Sequence, residues 1–419
     1  MPSAQTDDRE FDLILYGATG FVGKLLARYV ASAAPAGTRI ALAGRDAARV
    51  EAVRAELPDS AHSWGVVRAD AADPDSLRHM AERTRVVVTT VGPYAEFGLP
   101  LVLACADAGT DYADLTGEPL FIRDSIEAAH DRAVASSARI VHSCGFDSVP
   151  SDLSVYLTYR QALQDGTGEL TSSTLIATLK GGMSGGTIAS GRGQMKAIAK
   201  DKTLQGAVDD PYAFSADRSL ESDLGDQSDA VLARASSIDP TLSGWVTSFV
   251  MAPHNTRIVR RSNSLLGWAY GKDFRYREVM STGRSAVAPV LATGIAGALW
   301  AQKVLGPLVH KGPASAVLDR IVPKAGTGPS EAARNQGFFS MRTITRTSGG
   351  ATYRTTFAAD GDPGYKATAV ILGEVGLCLA LDRDRLSTMA GVLTPAPVLA
   401  EPLAERLRAA GMTITVERA

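Results

Sequence analysis

Phe11-Asp12-Leu13-Ile14-Leu15-Tyr16-Gly17-Ala18-Thr19-Gly20-Phe21-Val22-Gly23 is the stretch whose reading decides the fold. An apolar run stops at a glycine. Two more glycines follow at spacings of three, and a helical pattern begins at Lys24-Leu25-Leu26. A strand that ends in a sharp turn and enters a helix leaves the helix N-terminus free. Its unpaired amides and the positive end of its dipole suit a diphosphate. Glycine serves where the backbone turns tightly and lies close to the phosphates. The spacing alone is a weak signal; placed after an N-terminal strand and opening a helix it predicts a dinucleotide site. The cofactor-binding set is therefore Gly17, Ala18, Thr19, Gly20, Phe21, Val22 and Gly23.

The segments that follow extend this unit. Arg39–Ala43 reads as a second strand and Asp46–Leu57 as a helix capped by Asp46. Trp64–Arg68 is a third strand, and Asp73 with Pro74 behind it opens another helix. Arg85–Val91 is β-branched and nearly continuous, as a strand buried on both faces should be. Leu99–Ala108 and Ile122–Ser136 read as helices, Asp111–Asp114 and Arg139–Ser143 as strands. Strands alternating with helices imply a parallel, doubly wound sheet. The fold class expected is α/β: an N-terminal Rossmann-type domain over 10–155, then an α+β domain over 156–364 with a mixed or antiparallel sheet. A helical segment over 365–419 is expected to pack back on the first domain. In the second domain Thr174–Leu179 is a candidate strand. Phe338–Arg346 and Ala351–Ala358 form a hairpin around Ser348-Gly349-Gly350.

The bulk composition sets limits. A chain of 419 residues is long enough for two or three domains. A net charge of -2 gives no reason to expect nucleic acid. Cys105, Cys144 and Cys378 form no metal spacing and suggest a reducing compartment. The first ten residues lack an apolar secretory core, so no signal peptide is read and a cytoplasmic location is expected. No metal site is expected. Ser285–Gln302 carries no charge and includes Pro289, Gly294 and Gly297. Three readings stay open for it: a buried or substrate-lining helix, a membrane-surface element, or a span.

Several strand ends carry residues of chemical interest. Leu42-Ala43-Gly44-Arg45 closes the second strand. An arginine there, about twenty residues past the last glycine, accommodates a 2′-phosphate, so NADPH is favoured over NADH. Thr90, Gly92 and Pro93 end the fourth strand and would lie against the cofactor. Tyr94 either points at a substrate or packs at a domain junction. In Tyr112-Ala113-Asp114-Leu115-Thr116-Gly117-Glu118, the carboxylates and Thr116 either orient a substrate carbonyl or cap the next helix. Cys144 follows a strand end; a buried thiol is more often packing than nucleophile. Asp147 and Asp152 read as caps of the helix beyond. No Tyr-x-x-x-Lys is present, so the proton-donating pair of short-chain dehydrogenases is absent.

These motifs together resemble the saccharopine dehydrogenase-like oxidoreductases. Matches continue past the first domain, in Ala252–Asn263, Pro323–Pro329, Asp360–Lys366 and Gly391–Ala396. With them the chain resembles the trans-acting enoyl reductase branch, which works beside modular polyketide synthases in making waxy lipids and glycolipids. The resemblance implies NADPH-dependent reduction of an α,β-unsaturated acyl thioester on an acyl carrier domain. It further implies a long-chain acyl substrate, a possible homodimer and possible contact with the plasma membrane surface. Tyr94, Thr116 and Lys366 are then candidates for polarising the carbonyl or giving the proton, and Cys144 joins the cofactor set. Arg257, Arg260 and Arg261, read in a strand, are candidates for an anionic substrate group or carrier. A saccharopine-type amino-acid oxidoreductase and a non-catalytic dinucleotide-binding scaffold are the alternatives.

Overall fold

The computed structural model describes residues 9–181, 185–285, 287–297 and 328–419. The first part runs β1 (Phe11–Tyr16), α1 (Phe21–Ala33), β2 (Ile40–Gly44), α2 (Ala47–Ala55), β3 (Gly65–Arg68), α3 (Pro74–Glu82) and β4 (Thr84–Thr89). It continues α4 (Tyr94–Ala108), β5 (Asp111–Ala113), α5 (Pro119–Ser136), β6 (Arg139–Val141) and α6 (Val149–Gln164). The second part contains β7 (Leu170–Lys180), α7 (Gly185–Lys200), α8 (Thr203–Asp209), β8 (Leu232–Arg234), β9 (Trp245–Ser248), α9 (Ala252–Leu265) and β10 (Arg275–Gly283). Then come α10 (Ala288–Gly297), α11 (Glu331–Asn335), β11 (Phe338–Thr347), β12 (Thr352–Asp360), α12 (Thr368–Leu381), β13 (Gly391–Leu393), α13 (Pro395–Ala409) and β14 (Thr413–Arg418).

Seven strands form a parallel sheet in the order β13-β6-β5-β4-β1-β2-β3. The first six follow the 3-2-1-4-5-6 order of dinucleotide-binding sheets, so the crevice lies at the carboxyl ends of β1 and β4. β1 is buried along its whole length, as its apolar run requires. The local signals work as expected at two helix starts. Asp46 accepts from the Arg49 amide and Asp73 from the Ser76 amide, the latter with Pro74 behind it.

The second sheet has the order β14-β12-β11-β7-β10-β9-β8 and is mixed. β7 and β10 are parallel, and the hairpin β11–β12 is antiparallel over its full length. The C-terminal residues serve both sheets. β13 adds a parallel edge strand to the first, β14 pairs with β12 of the second, and α12 packs on α1, β1 and β4. The segment 365–419 is thus helical only in part. The apolar helix Pro363–Leu381 is the one among the described residues long enough to cross a membrane, and 78% of its apolar window is buried in the protein.

Three readings change. The helix after β4 begins at Tyr94 and not at Leu99, so the tyrosine opens α4. Ala252–Leu265 is a helix, not a strand; Pro253 sits in its first turn, and it is buried on every side from His254 to Ser264. Asp152 does not cap α6 but reaches across to accept from the Ala396 amide at the start of α13, at 2.8 Å. Of Ser285–Gln302, residues 286 and 298–302 lie outside the described residues, as does 323–327. On α10, Val287 just before it, Val290 and Leu291 are exposed.

Candidate active site

The turn after β1 is made of backbone. Gly17 has φ +88°, and its amide and that of Ala18 donate to Ala43 O at 3.0 and 3.3 Å. The Gly20 amide returns to Gly17 O at 3.0 Å, and the Thr90 amide reaches Tyr16 O at 3.0 Å. A Cβ on Gly23 would stand 2.1 Å from Gly17 O, and one on Gly17 would stand 2.7 Å from Thr90 Oγ1. No side chain caps α1, and its first turn has no acid. Thr19 and Gly20 are exposed. The helix start therefore offers amides and a positive dipole end to an anion, and the cradle fits a diphosphate. The helix starts at Phe21, three residues before its apolar pattern.

Residues from the far end of the chain close over this turn. The Tyr365 ring meets Phe21 edge-on at 5.1 Å between centroids, and the Arg334 guanidinium lies 5.5 Å over the same Phe21 ring. Asp362 holds that loop by accepting from the amides of Tyr365 and Lys366 at 3.0 and 3.2 Å. Lys366 itself is exposed, and its Nζ donates to Asn335 Oδ1 at 2.9 Å. Arg45 stands exposed at the carboxyl end of β2, close enough to act on the Tyr16 phenol, with no hydrogen bond or ion pair among the described residues. Gly92 is exposed beside the same crevice and is joined to Pro93 by a cis peptide.

The ends of β5 and β6 are filled instead with polar side chains. Asp114 Oδ1 accepts from the Ser143 and Thr116 amides at 2.9 and 3.0 Å. Its Oδ2 takes the Tyr112 hydroxyl at 2.9 Å and lies 2.7 Å from His142 Nδ1. The other nitrogen of His142 meets Ser125 Oγ at 2.7 Å. Ser143 Oγ donates to Thr116 O and contacts His254 Nε2 at 3.0 Å. Aspartate, histidine and serine in a row have the composition of a hydrolytic triad. All three are buried, and Ser125 is fully sealed. Burial and the neighbouring Arg257 push the His254 imidazole down to about 3, so it is neutral.

Tyr94 belongs to this packing. Its hydroxyl donates to Thr89 O and accepts from the Leu115 amide at 3.1 Å, and its ring stacks on Phe121. Burial, with Asp114 nearby, raises the phenol well above its ordinary value. Thr116 is buried, and its hydroxyl accepts from the Glu118 amide. The Glu118 carboxylate in turn holds the amides of Tyr94 and Ala95 at the start of α4. Cys144 is sealed; its thiol donates to Val141 O, and burial raises it well above the usual thiol range. Among the described residues no hydrogen bond joins Lys366 to Tyr94 or Thr116, so these three are not brought to one point.

The arginines of α9 are buried fasteners. Arg257 pairs with Asp229 at 2.7 Å, Arg260 donates to Pro211 O and Tyr276 O, and Arg261 donates to Phe214 O and Val392 O. Their charges hold 209–229 and β13 in place and present no face to a ligand. Asp147 passes the other way. It caps nothing, has no partner among the described residues, and burial pushes its carboxyl up to about 6. Its spacing in sequence gave only the helix-cap reading.

Residues 13–141 match the family model of the saccharopine dehydrogenase NADP-binding domain. A Mycobacterium tuberculosis (strain H37Rv) protein named as a candidate trans-acting enoyl reductase is 54% identical over 98% of both chains. The trans-acting enoyl reductase of Mycobacterium ulcerans (strain Agy99) is 48% identical over 100% of both. The chain belongs to the trans-acting enoyl reductase family. Its fold is shared with the apo saccharopine dehydrogenase (L-glutamate forming) of Saccharomyces cerevisiae, at a TM-score of 0.55, 14% identity, and 97% and 99% coverage of the two chains. This family member is an NADPH-dependent oxidoreductase, and NADPH is its cofactor.

Proposed function

We propose that the protein reduces the α,β-double bond of an acyl thioester held on the acyl carrier domain of a polyketide synthase, in the making of a complex lipid. The full-length identity to proteins named trans-acting enoyl reductases carries this reading. Bound NADPH supplies the hydride. The amides of Thr19 and of Phe21 to Gly23 bind its diphosphate, Arg45 meets its 2′-phosphate, and Thr90, Gly92 and Pro93 lie along its path to the crevice. Residues of the second half, Tyr365 and Arg334 on Phe21, cover the phosphates and exclude water. The exposed apolar residues Val287, Val290 and Leu291 are where a long acyl chain or a membrane surface would be met. The burial of Arg257, Arg260 and Arg261 removes the basic set that a saccharopine-type amino-acid substrate would need.

The test is NADPH oxidation with an enoyl thioester on an isolated carrier domain, against lysine plus an oxo-acid. Turnover with the enoyl thioester alone is expected. Turnover with the amino acid alone would sink the reading, and tight NADPH binding with no turnover on either would favour a scaffold.

A further inference from the structure

Reduction of an enoyl thioester needs a proton at the α-carbon as well as a hydride at the β-carbon. The groups first expected to give it are engaged. The Tyr94 hydroxyl is spent on Thr89 O and the Leu115 amide, Thr116 is buried against the Glu118 amide, and Lys366 is an exposed amine bonded to Asn335. The acids that burial raises remain. Asp152 and Glu278 are pushed up to about 7, but both are sealed. Asp152 serves the Ala396 amide, and Glu278 takes the Tyr276 hydroxyl at 2.7 Å and Asn255 Nδ2 at 2.9 Å.

Asp147 differs in each respect. It follows β6 at the carboxyl end of the parallel sheet, where ligands of this fold bind. Part of its surface stays open to solvent. Its neighbours fix the loop between the two sheets. The Phe146 ring packs on Phe339 of β11 at 4.7 Å, the Phe146 amide donates to Thr368 Oγ1, and the Ser148 hydroxyl donates to Asn255 Oδ1. Thr368 lies three residues past Tyr365, which covers the phosphate turn. Asp147 is thus held between the parallel sheet and the second sheet with nothing bonded to its carboxyl among the described residues.

We propose that Asp147 is the proton donor of the reduction. The assignment rests on the enoyl-reducing reading. As the β-carbon accepts hydride from the bound reduced nicotinamide, the Cα=Cβ pair shifts toward the thioester carbonyl. The Asp147 O–H bond then breaks, a C–H bond forms at the α-carbon, and the carbonyl is restored. The carboxylate left behind regains its proton from water through its open side. The saturated thioester and the oxidised cofactor leave.

Asp147→Asn and Asp147→Glu in the full chain test this with the trans-2-enoyl thioester of N-acetylcysteamine. Asp147→Asn should lower kcat about 100-fold or more with the NADPH Kd and Tm unchanged, and Asp147→Glu should restore much of the loss. Wild-type kcat/KM should fall as pH rises through about 6, and the Asp147→Asn profile should be flat there. Carboxyl infrared difference spectra of wild type against Asp147→Asn read the same group without turnover. An active wild type whose Asp147→Asn variant keeps its rate and pH profile overturns the donor alone. A wild type inactive on enoyl thioesters overturns the enoyl reading and the donor with it. If Asp147→Asn fails to fold, an inactive Asp147→Glu or a carboxyl titrating near 4 overturns the assignment.

Discussion

One edge of one sheet ends in two opposite kinds of turn. After β1 the turn's polar groups are backbone amides and the exposed Thr19 hydroxyl, with no cap and no acid near them. After β5 and β6 the turns hold an aspartate, a histidine, serines, a tyrosine and a thiol, nearly all of them bonded to one another. The bare turn leaves helix-start amides open to an anion. The crowded one is structural, because a buried polar group whose bonds are all made within the protein has none left for a ligand. Residue type is then a poor guide to chemistry at this edge; an unmet bond is the better one.

The largest effect should come from the crowded turn. Asp114→Ala would leave the Ser143 and Thr116 amides, the Tyr112 hydroxyl and His142 without their shared acceptor. A loss of about 3–5 kcal/mol is expected, read by denaturant unfolding. NADPH affinity of the fraction that stays folded should hold. A loss below about 1 kcal/mol would mean that the cluster is not structural. Gly23→Ala works on the bare turn. Its methyl meets the Gly17 carbonyl at 2.1 Å, and relief requires the loop to move. The expected cost is about 1–3 kcal/mol together with a large loss of NADPH affinity by titration. Unchanged affinity would place the diphosphate elsewhere.

The same contrast separates what could be read in the sequence from what could not. The bare turn was legible because its signals are local: glycines at spacings of three between an apolar run and a helix. So were the Asp46 and Asp73 caps and the hairpin β11–β12. The crowded turn was not, because its meaning lies in partners far along the chain, as with Ser143 and His254 or Asp152 and Ala396. Ala252–Leu265 misled for the same reason. Its arginines looked like a ligand site until 209–229, β10 and β13 supplied their acceptors. β13 is three residues long and exists as a strand only because β6 leaves it an edge. Asp147 was visible, but nothing local distinguishes a free carboxyl from a cap.

A sealed acid also leaves a thermodynamic trace. Glu278 is raised to about 7 by burial, so the folded state keeps a proton that the unfolded chain gives up at its ordinary value near 4.3. Stability then falls as pH rises between those values and levels off above them. Glu278→Gln removes this one dependence and leaves the opposing one of His254 in place. From pH 5 to 7 the stability difference should shift toward the variant by about 2 kcal/mol, whatever the fixed cost of the amide. Parallel unfolding curves at both pH values would show that Glu278 is not held protonated.

The smallest effect belongs to the rim of the bare turn. Arg45 is exposed and makes no hydrogen bond or ion pair among the described residues, so removing it breaks no bond in the fold, and Tm should hardly move. A solvated arginine on a 2′-phosphate contributes a charge-assisted bond of about 1.5–3 kcal/mol. Arg45→Ala should therefore weaken NADPH about tenfold or more and leave NADH, which has no 2′-phosphate, nearly as it was. Titrating both cofactors into both proteins isolates the contact, because the diphosphate cradle is common to all four complexes. Equal losses for the two would mean that Arg45 acts on the loop and not on the phosphate, and selection of NADPH would have to come from the roof, where the Arg334 guanidinium lies over Phe21.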